Sequence, residues 1–301
     1  MSYNNRPTLF ALFFIMLVIT VMGMSPKAFG TELPKIVPKK KITIIKFGVY
    51  ASDNSNVLYN KLRPILDHIQ GEMAKKLRTK VKIPLIIYPS YDSGRLAIVR
   101  GDIDIGRFGV ASTIIAQREN PKIGVVAVEN RISREKMHGS IIVSAFHTDV
   151  NSLEDLKGTT FAFGNPRSTT GHYIAKYELV KAGLRASDFR HTAHFKKHVD
   201  VFNQVALGNY EAGTLKTTAV NRYNKSGLVK VLIQFKSPSK TWLMREGFPP
   251  KLLDYLRPIL LGKWNPRLIK EIKISGFSPY IPRQYEEARQ AVDKIGDFDA
   301  K

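Results

Sequence analysis

The sequence predicts an α/β protein of two lobes, on three observations. Strand-like and helix-like segments alternate along the chain, the pattern restarts after Asn151, and 301 residues are enough for two cores of ordinary domain size. Alternation of this kind argues for largely parallel sheets flanked by helices. No internal repeat or low-complexity stretch interrupts it.

The elements follow in order. Ile42 to Tyr50 is apolar enough for a strand, and the polar loop Ala51 to Asn56 ends it. Val57 to Leu77 places Leu58, Leu62, Ile65, Leu66, Ile69, Met73 and Leu77 at helical spacing. Val81 to Tyr88 is a second strand, Tyr91 to Arg100 a short helix, Gly101 to Gly106 a turn and buried strand, and Val110 to Arg118 the next helix. Strands at Val125 to Asn130 and Ser140 to Phe146 close the first half. In the second half, Ser152 to Gly158 is a one-turn helix with a Ser cap and a Gly stop. Strands follow at Phe161 to Phe163, Phe189 to Phe195, Tyr210 to Leu215 and Leu228 to Phe235. A helix spans Val199 to Leu207, and Pro249 to Gly262 opens a helix-rich end.

Ahead of this, Arg6, the uncharged run Leu9 to Met24 and Ala28-Phe29-Gly30 have the order of a secretory signal peptide over 1–30. The run is short for a membrane span, which leaves an uncleaved inner-membrane anchor as the second reading. Residues 31–41 are a basic leader whose lysines form a solvated face. The boundaries expected on this reading are 42–143 for the first part of lobe 1, 144–235 for lobe 2 and 236–301 for the return to lobe 1. Two crossings make a two-stranded hinge.

The formal charge is +22, and removing Arg6 and Lys27 leaves about +20 in the mature chain. Such a balance favours encounter with anions. Nucleic acid fits poorly with export, and no arginine-rich, zinc-knuckle or ribonucleoprotein motif is present. The absence of cysteine rules out a disulfide framework. There is no G-x-S-x-G elbow, H-E-x-x-H helix or P-loop, which argues against an enzyme. His191 and His194 fall on a strand facing opposite sides, so no metal site is drawn with His198, and no cofactor is expected.

Phe161-Ala-Phe-Gly-Asn-Pro-Arg-Ser-Thr-Thr-Gly171 reads as strand, turn and helix start. A Ser/Thr helix cap is its plain reading; the first N–H groups of a helix with nearby hydroxyls also suit an oxyanion. Phe47-Gly-Val-Tyr50, Tyr91 to Gly101 with Asp102-Ile-Asp-Ile105, Ser152 to Gly158, Ser168-Thr-Thr-Gly171, His198 and Glu211-Ala-Gly213 occur in an order and spacing that resembles a known family. These are the periplasmic phosphate/phosphonate-binding proteins of ABC importers, with the type II periplasmic binding protein fold. The chain departs from the family at Arg107-Phe-Gly-Val110, His172, Lys197, Val199 and Glu211.

The resemblance implies mixed sheets, a two-stranded hinge and a phosphoryl group held between the lobes by Ser168, Thr169 and Thr170. His198 would donate one more bond, its protonated form favoured by the anion, or else cap its helix. Arg107 would add a bidentate contact, or remain a strand-end surface arginine. Glu211 would take a P–OH proton or a ligand amine, or pair with a lysine. Tyr50, Ser52, Tyr91 and Phe108, at strand ends, would wall the pocket or belong to the core. The function implied is that of a monomeric solute-binding protein delivering a small anionic ligand to an ABC transporter permease. The alternatives are a ligand sensor for a membrane histidine kinase and, from another class, a small-ester hydrolase.

Overall fold

The computed structural model describes residues 42–50, 55–132, 138–147 and 149–300. The export segment 1–30, the basic leader 31–41 and Ser52 lie outside the described residues. None of the described helices is long and apolar enough to cross a membrane.

The chain opens with β1 (Ile42–Ile44), β2 (Phe47–Tyr50), α1 (Ser55–Leu77), β3 (Lys80–Lys82), β4 (Leu85–Tyr88), α2 (Tyr91–Arg100), β5 (Ile105–Phe108), α3 (Val110–Glu119) and β6 (Gly124–Arg131). It continues with β7 (His138–Ser144), β8 (Thr160–Phe163), a π-helical turn (Thr169–Ile174) running into α4 (Ala175–Lys181), β9 (His191–His194), α5 (His198–Ala206), β10 (Ala212–Lys216), α6 (Thr217–Tyr223) and β11 (Val229–Lys236). Then come β12 (Thr241–Met244), α7 (Pro250–Leu261), α8 (Pro266–Ile269), β13 (Ile274–Ser278), α9 (Glu286–Asp293) and α10 (Ile295–Asp299).

Two of the expected strands are each broken in two. Pro84 has no N–H to donate, and its carbonyl accepts from Phe47 at 2.9 Å while Lys82 accepts from Ile45 at 3.0 Å. Thus β1 and β3 form a small parallel ribbon, and β2 and β4 enter the main sheet of the first lobe.

That sheet has the order β13-β6-β12-β5-β2-β4, and the sheet of the second lobe has the order β11-β7-β10-β8-β9. Both are mixed, not largely parallel. Each lobe inserts a strand that arrives from the other lobe, and such a strand runs opposite to its neighbours: β12 is antiparallel to β5 and β6, and β7 to β10 and β11.

The register puts one set of strand ends at the cleft. These are the C-terminal ends of β2, β5 and β6 with the start of β12, facing the C-terminal ends of β8, β9, β10 and β11 with the start of β7. The first lobe's core stacks Phe47, Trp242 and Phe277 under α1 and α7, with ring centroids 4.7 and 5.0 Å apart.

The C-terminal end departs from expectation. Residues 236–301 do not all stay with the first lobe, because Tyr285, Ala288, Ala291, Val292 and Phe298 join the core of Phe161, Phe163, Ile174 and Phe189. A pattern of small and apolar residues on α9 and α10 leaves one face to bury, and the groove beside α4 covers it. Lys176 fastens the end: it is itself buried, reaches both Asp299 oxygens at 3.0 and 3.1 Å and lies 4.6 Å from the Phe298 ring centre. Phe298→Ala is therefore expected to cost about 3–5 kcal/mol in urea unfolding, against no more than about 0.5 kcal/mol for the exposed Phe146→Ala.

Candidate functional site

Ser168, Thr169 and Thr170 sit at the cleft, after the C-terminal end of β8. Gly164 and Gly171 make this turn possible: Gly164 N–H donates to the Gly171 carbonyl at 2.7 Å, and a Cβ on either would lie 3.0 Å from the other's Cα. Ser168 Oγ accepts from Gly171 N–H at 3.0 Å, and Thr169 Oγ1 accepts from Ala111 N–H, at the start of α3 in the other lobe, at 3.0 Å. Arg167 Nε also reaches Asp92 Oδ2 at 3.0 Å, so the lobes touch across the cleft here. A hydroxyl that accepts a backbone N–H keeps its own proton to donate. Tyr50 follows the same logic: its oxygen accepts from Gly109 N–H at 2.8 Å, and burial pushes its phenol up, so it stays protonated.

Around this turn is a small cavity of about 40 Å³, lined by Tyr50, Tyr91, Gly109, the Ser168–Thr170 hydroxyls, Arg131, Lys216 and Lys240. It opens into a wider chamber of about 240 Å³, which shares Tyr50, Arg131, Lys216 and Lys240 and adds Arg107 and His198. Tyr50 and Tyr91 stack 4.2 Å apart, with Lys240 Nζ 5.4 Å from the Tyr50 ring centre.

Three expected residues take other roles. Phe108 is fully buried and backs Tyr50 at 5.8 Å without lining the cavity, because β5 turns its ring inward. Arg107 lines the wide chamber, but Glu129 takes its bidentate face: Nη2 donates to Oε2 at 3.0 Å and Nε to Oε1. Glu211 lies at the opposite end of β10 from Lys216, five residues and roughly 16 Å away along an extended strand. There it accepts from Thr160 N–H at 2.6 Å and pairs with Arg190 at 2.6 Å, which holds its carboxyl below the usual range despite burial.

His198 does reach the chamber, at the start of α5, but burial and then Lys216 push its pKa down to about 3. It is a neutral ring here, and its Nδ1 has no hydrogen-bond partner among the described residues.

Three contributors were missed in the sequence: Arg131, Lys216 and Lys240. Their signal was position, since each stands where a cleft-end strand stops or starts, and Lys216-Thr-Thr218 repeats the strand-hydroxyl-helix pattern of Ser168-Thr-Thr170. Glu129, buried and accepting also from Trp242 Nε1 at 3.2 Å, is held below the usual carboxylate range. Burial opposes this, and the charge and bonds of Arg107 outweigh it. Burial, then Arg107 and Lys216, keep the Lys240 ammonium well below the usual lysine range.

The family model for the periplasmic substrate-binding protein of phosphonate ABC transporters matches residues 47–285. A Prochlorococcus marinus protein named as a probable ABC transporter phosphite-binding protein is 28% identical over 185 residues. That match takes in 57% of this chain and 58% of the relative, a little over half the length of each. Among solved structures, the P. marinus protein in complex with methylphosphonate superposes with a TM-score of 0.67 at 20% identity, covering 85% of this chain and 97% of that one. A Xanthomonas citri protein bound to ATP gives a TM-score of 0.73 at 18% identity, covering 85% and 99%. These likenesses establish the α/β two-sheet fold of periplasmic binding proteins.

Two outcomes are expected. Glu129→Gln strips Arg107 of its counter-charge and should cost about 3–5 kcal/mol in denaturant unfolding. His172, whose Nδ1 is 2.9 Å from His194 Nε2, is also pushed down to about 3 by burial and Lys176. With folded pKa values below the ordinary 6.5, His172 and His198 bind protons more readily in the unfolded chain. Stability should thus be complete above about pH 6.5 and fall as the pH drops toward about 3, with a shallower slope in the His172→Gln, His198→Gln double variant.

Proposed function

The chain belongs to the family of periplasmic substrate-binding proteins of phosphonate ABC transporters, a family of binding proteins and not of enzymes, and on that premise we propose that it captures a phosphonate, phosphate or related phosphorus oxyanion between its lobes for delivery to an ABC importer. Arg131 carries the reading: its Nε–H is buried at the cleft with no partner among the described residues, beside Lys216 and Lys240. An unsatisfied buried donor is costly, and an anion in the cavity removes that cost. The hydroxyls of Ser168, Thr169 and Tyr50 supply protons to oxyanion oxygens while their own oxygens stay anchored to backbone N–H groups.

The ligand is the counter-charge that makes lobe contact favourable. Between the sheets the chain passes from β6 to β7, from β11 to β12, and again between β13 and α9, and closure would turn about these connections. The relative's methylphosphonate complex and phosphite-binding name are in keeping with a small phosphorus head group here. Export through the N-terminal segment 1–30 would place the protein where such ligands are met.

Thermal-shift and calorimetric titration with methylphosphonate, phosphite, phosphate and sulfate test this. At least one phosphorus oxyanion should stabilise the protein, and Ser168→Ala with Thr169→Ala should weaken that binding roughly 100-fold or more with the circular dichroism unchanged. Glu211→Gln should leave affinity untouched. Undiminished binding in the double alanine variant returns the turn to a plain helix cap.

A further inference from the structure

The wider chamber beyond the small cavity has a charge that a simple phosphonate does not use. Its walls carry Lys61 from α1, Arg131, Lys216, Arg222 from α6, Lys240 and Lys273, together with Arg107, whose charge is matched by Glu129. Among the described residues the only carboxylate on those walls is Glu271, which is exposed, as are Arg222 and Lys273. These basic groups come from both lobes: Lys61, Arg131, Lys240 and Lys273 from the first, Lys216 and Arg222 from the second. Like charges gathered on facing walls repel, and an anion among them offsets that repulsion.

The chamber is about six times the volume of the cavity at the hydroxyl turn, 240 against 40 Å³, and the two share four residues. A head group seated on Ser168 and Thr169 would therefore extend its substituent into the basic space. Among the described residues the one carboxylate there to receive an amine is the exposed Glu271, since Glu211 is held by Thr160 and Arg190 at the far end of β10.

We propose that the ligand carries a second anionic group, a carboxylate or a second phosphoryl, which occupies the basic chamber while the first is held at the Ser168 turn. The proposal rests on the oxyanion reading of that turn and narrows it to bis-anionic phosphorus compounds. Lys61 and Arg222 stand in the chamber but not around the small cavity, so they would bear on the second group alone.

Calorimetric titration of the mature protein with four probes separates the outcomes: propylphosphonate, with a neutral tail; 2-aminoethylphosphonate, with a cationic one; 3-phosphonopropionate; and methylenebisphosphonate. Either or both of the last two should bind at least ~10-fold more tightly than propylphosphonate, as expected for one or two charge pairs in a half-open site, and whichever leads identifies the second anion. Aminoethylphosphonate should bind most weakly. In the Lys61→Gln, Arg222→Gln variant the bis-anion advantage should shrink to about twofold or less while propylphosphonate affinity holds.

Equal affinities across the set, or tightest binding of aminoethylphosphonate, would overturn the second-anion proposal and leave the oxyanion turn standing. So would a variant that loses affinity for all probes alike. Absence of binding by any of the four would overturn both.

Discussion

The cleft end of this protein depends on Glu129. It is the one carboxylate among the described residues that is buried to 1% exposure, and Arg107 and Trp242 hold it. Its charge neutralises Arg107, one of the basic groups that the strand ends bring together, while Arg131, Lys216 and Lys240 line the cavity. Were the pair absent, burying Arg107 would cost several kcal/mol. With it, the first sheet keeps a buried ion pair beneath the cleft.

Around this floor the topology does the placing. Strands that cross between lobes enter antiparallel, so β12 begins at the cleft where β5 and β6 end. Lys240 thereby arrives beside Arg131 although 109 residues separate them in the chain. In the second lobe the same end of the sheet gathers the Ser168 turn, Lys216 and His198. The terminal helices α9 and α10 then bind back onto the second lobe through Phe298 and Lys176, which ties the last stretch of chain to both halves.

On the proposed function, the hydroxyl turn is a neutral segment prepared for an anion. The oxygens of Ser168 and Thr169 are each fixed by accepting a backbone N–H, so donating to a ligand requires no reorganisation of those side chains, while Thr170 Oγ1 pairs with Ser237 Oγ at 2.8 Å. This is also why Ser168 and Thr169 belong together with Tyr50, which uses Gly109 in the same manner from the opposite lobe. Glu211 and Phe108 fail to join them for separate reasons. The first stands at the wrong end of its strand, and the second points to the wrong face of its own.

Hydrophobic periodicity, turn residues and strand-helix alternation determined the α/β class, most of the elements and the hydroxyl turn, because these are local and repeat at 2.0 or 3.6 residues. Spacing also brought Tyr50, Tyr91, His198 and Ser168 to light, since strand ends are legible once strands are. The rest was decided by tertiary structure. Strand direction fixed which end of β10 faces the cleft, and so chose Lys216 over Glu211. The register across β12 paired Arg107 with Glu129 and not with ligand. Burial, which no single residue reveals, kept His198 neutral and left Arg131 Nε without a partner among the described residues. Charge and distance in three dimensions are sums over residues far apart in the chain, and only the folded arrangement adds them up.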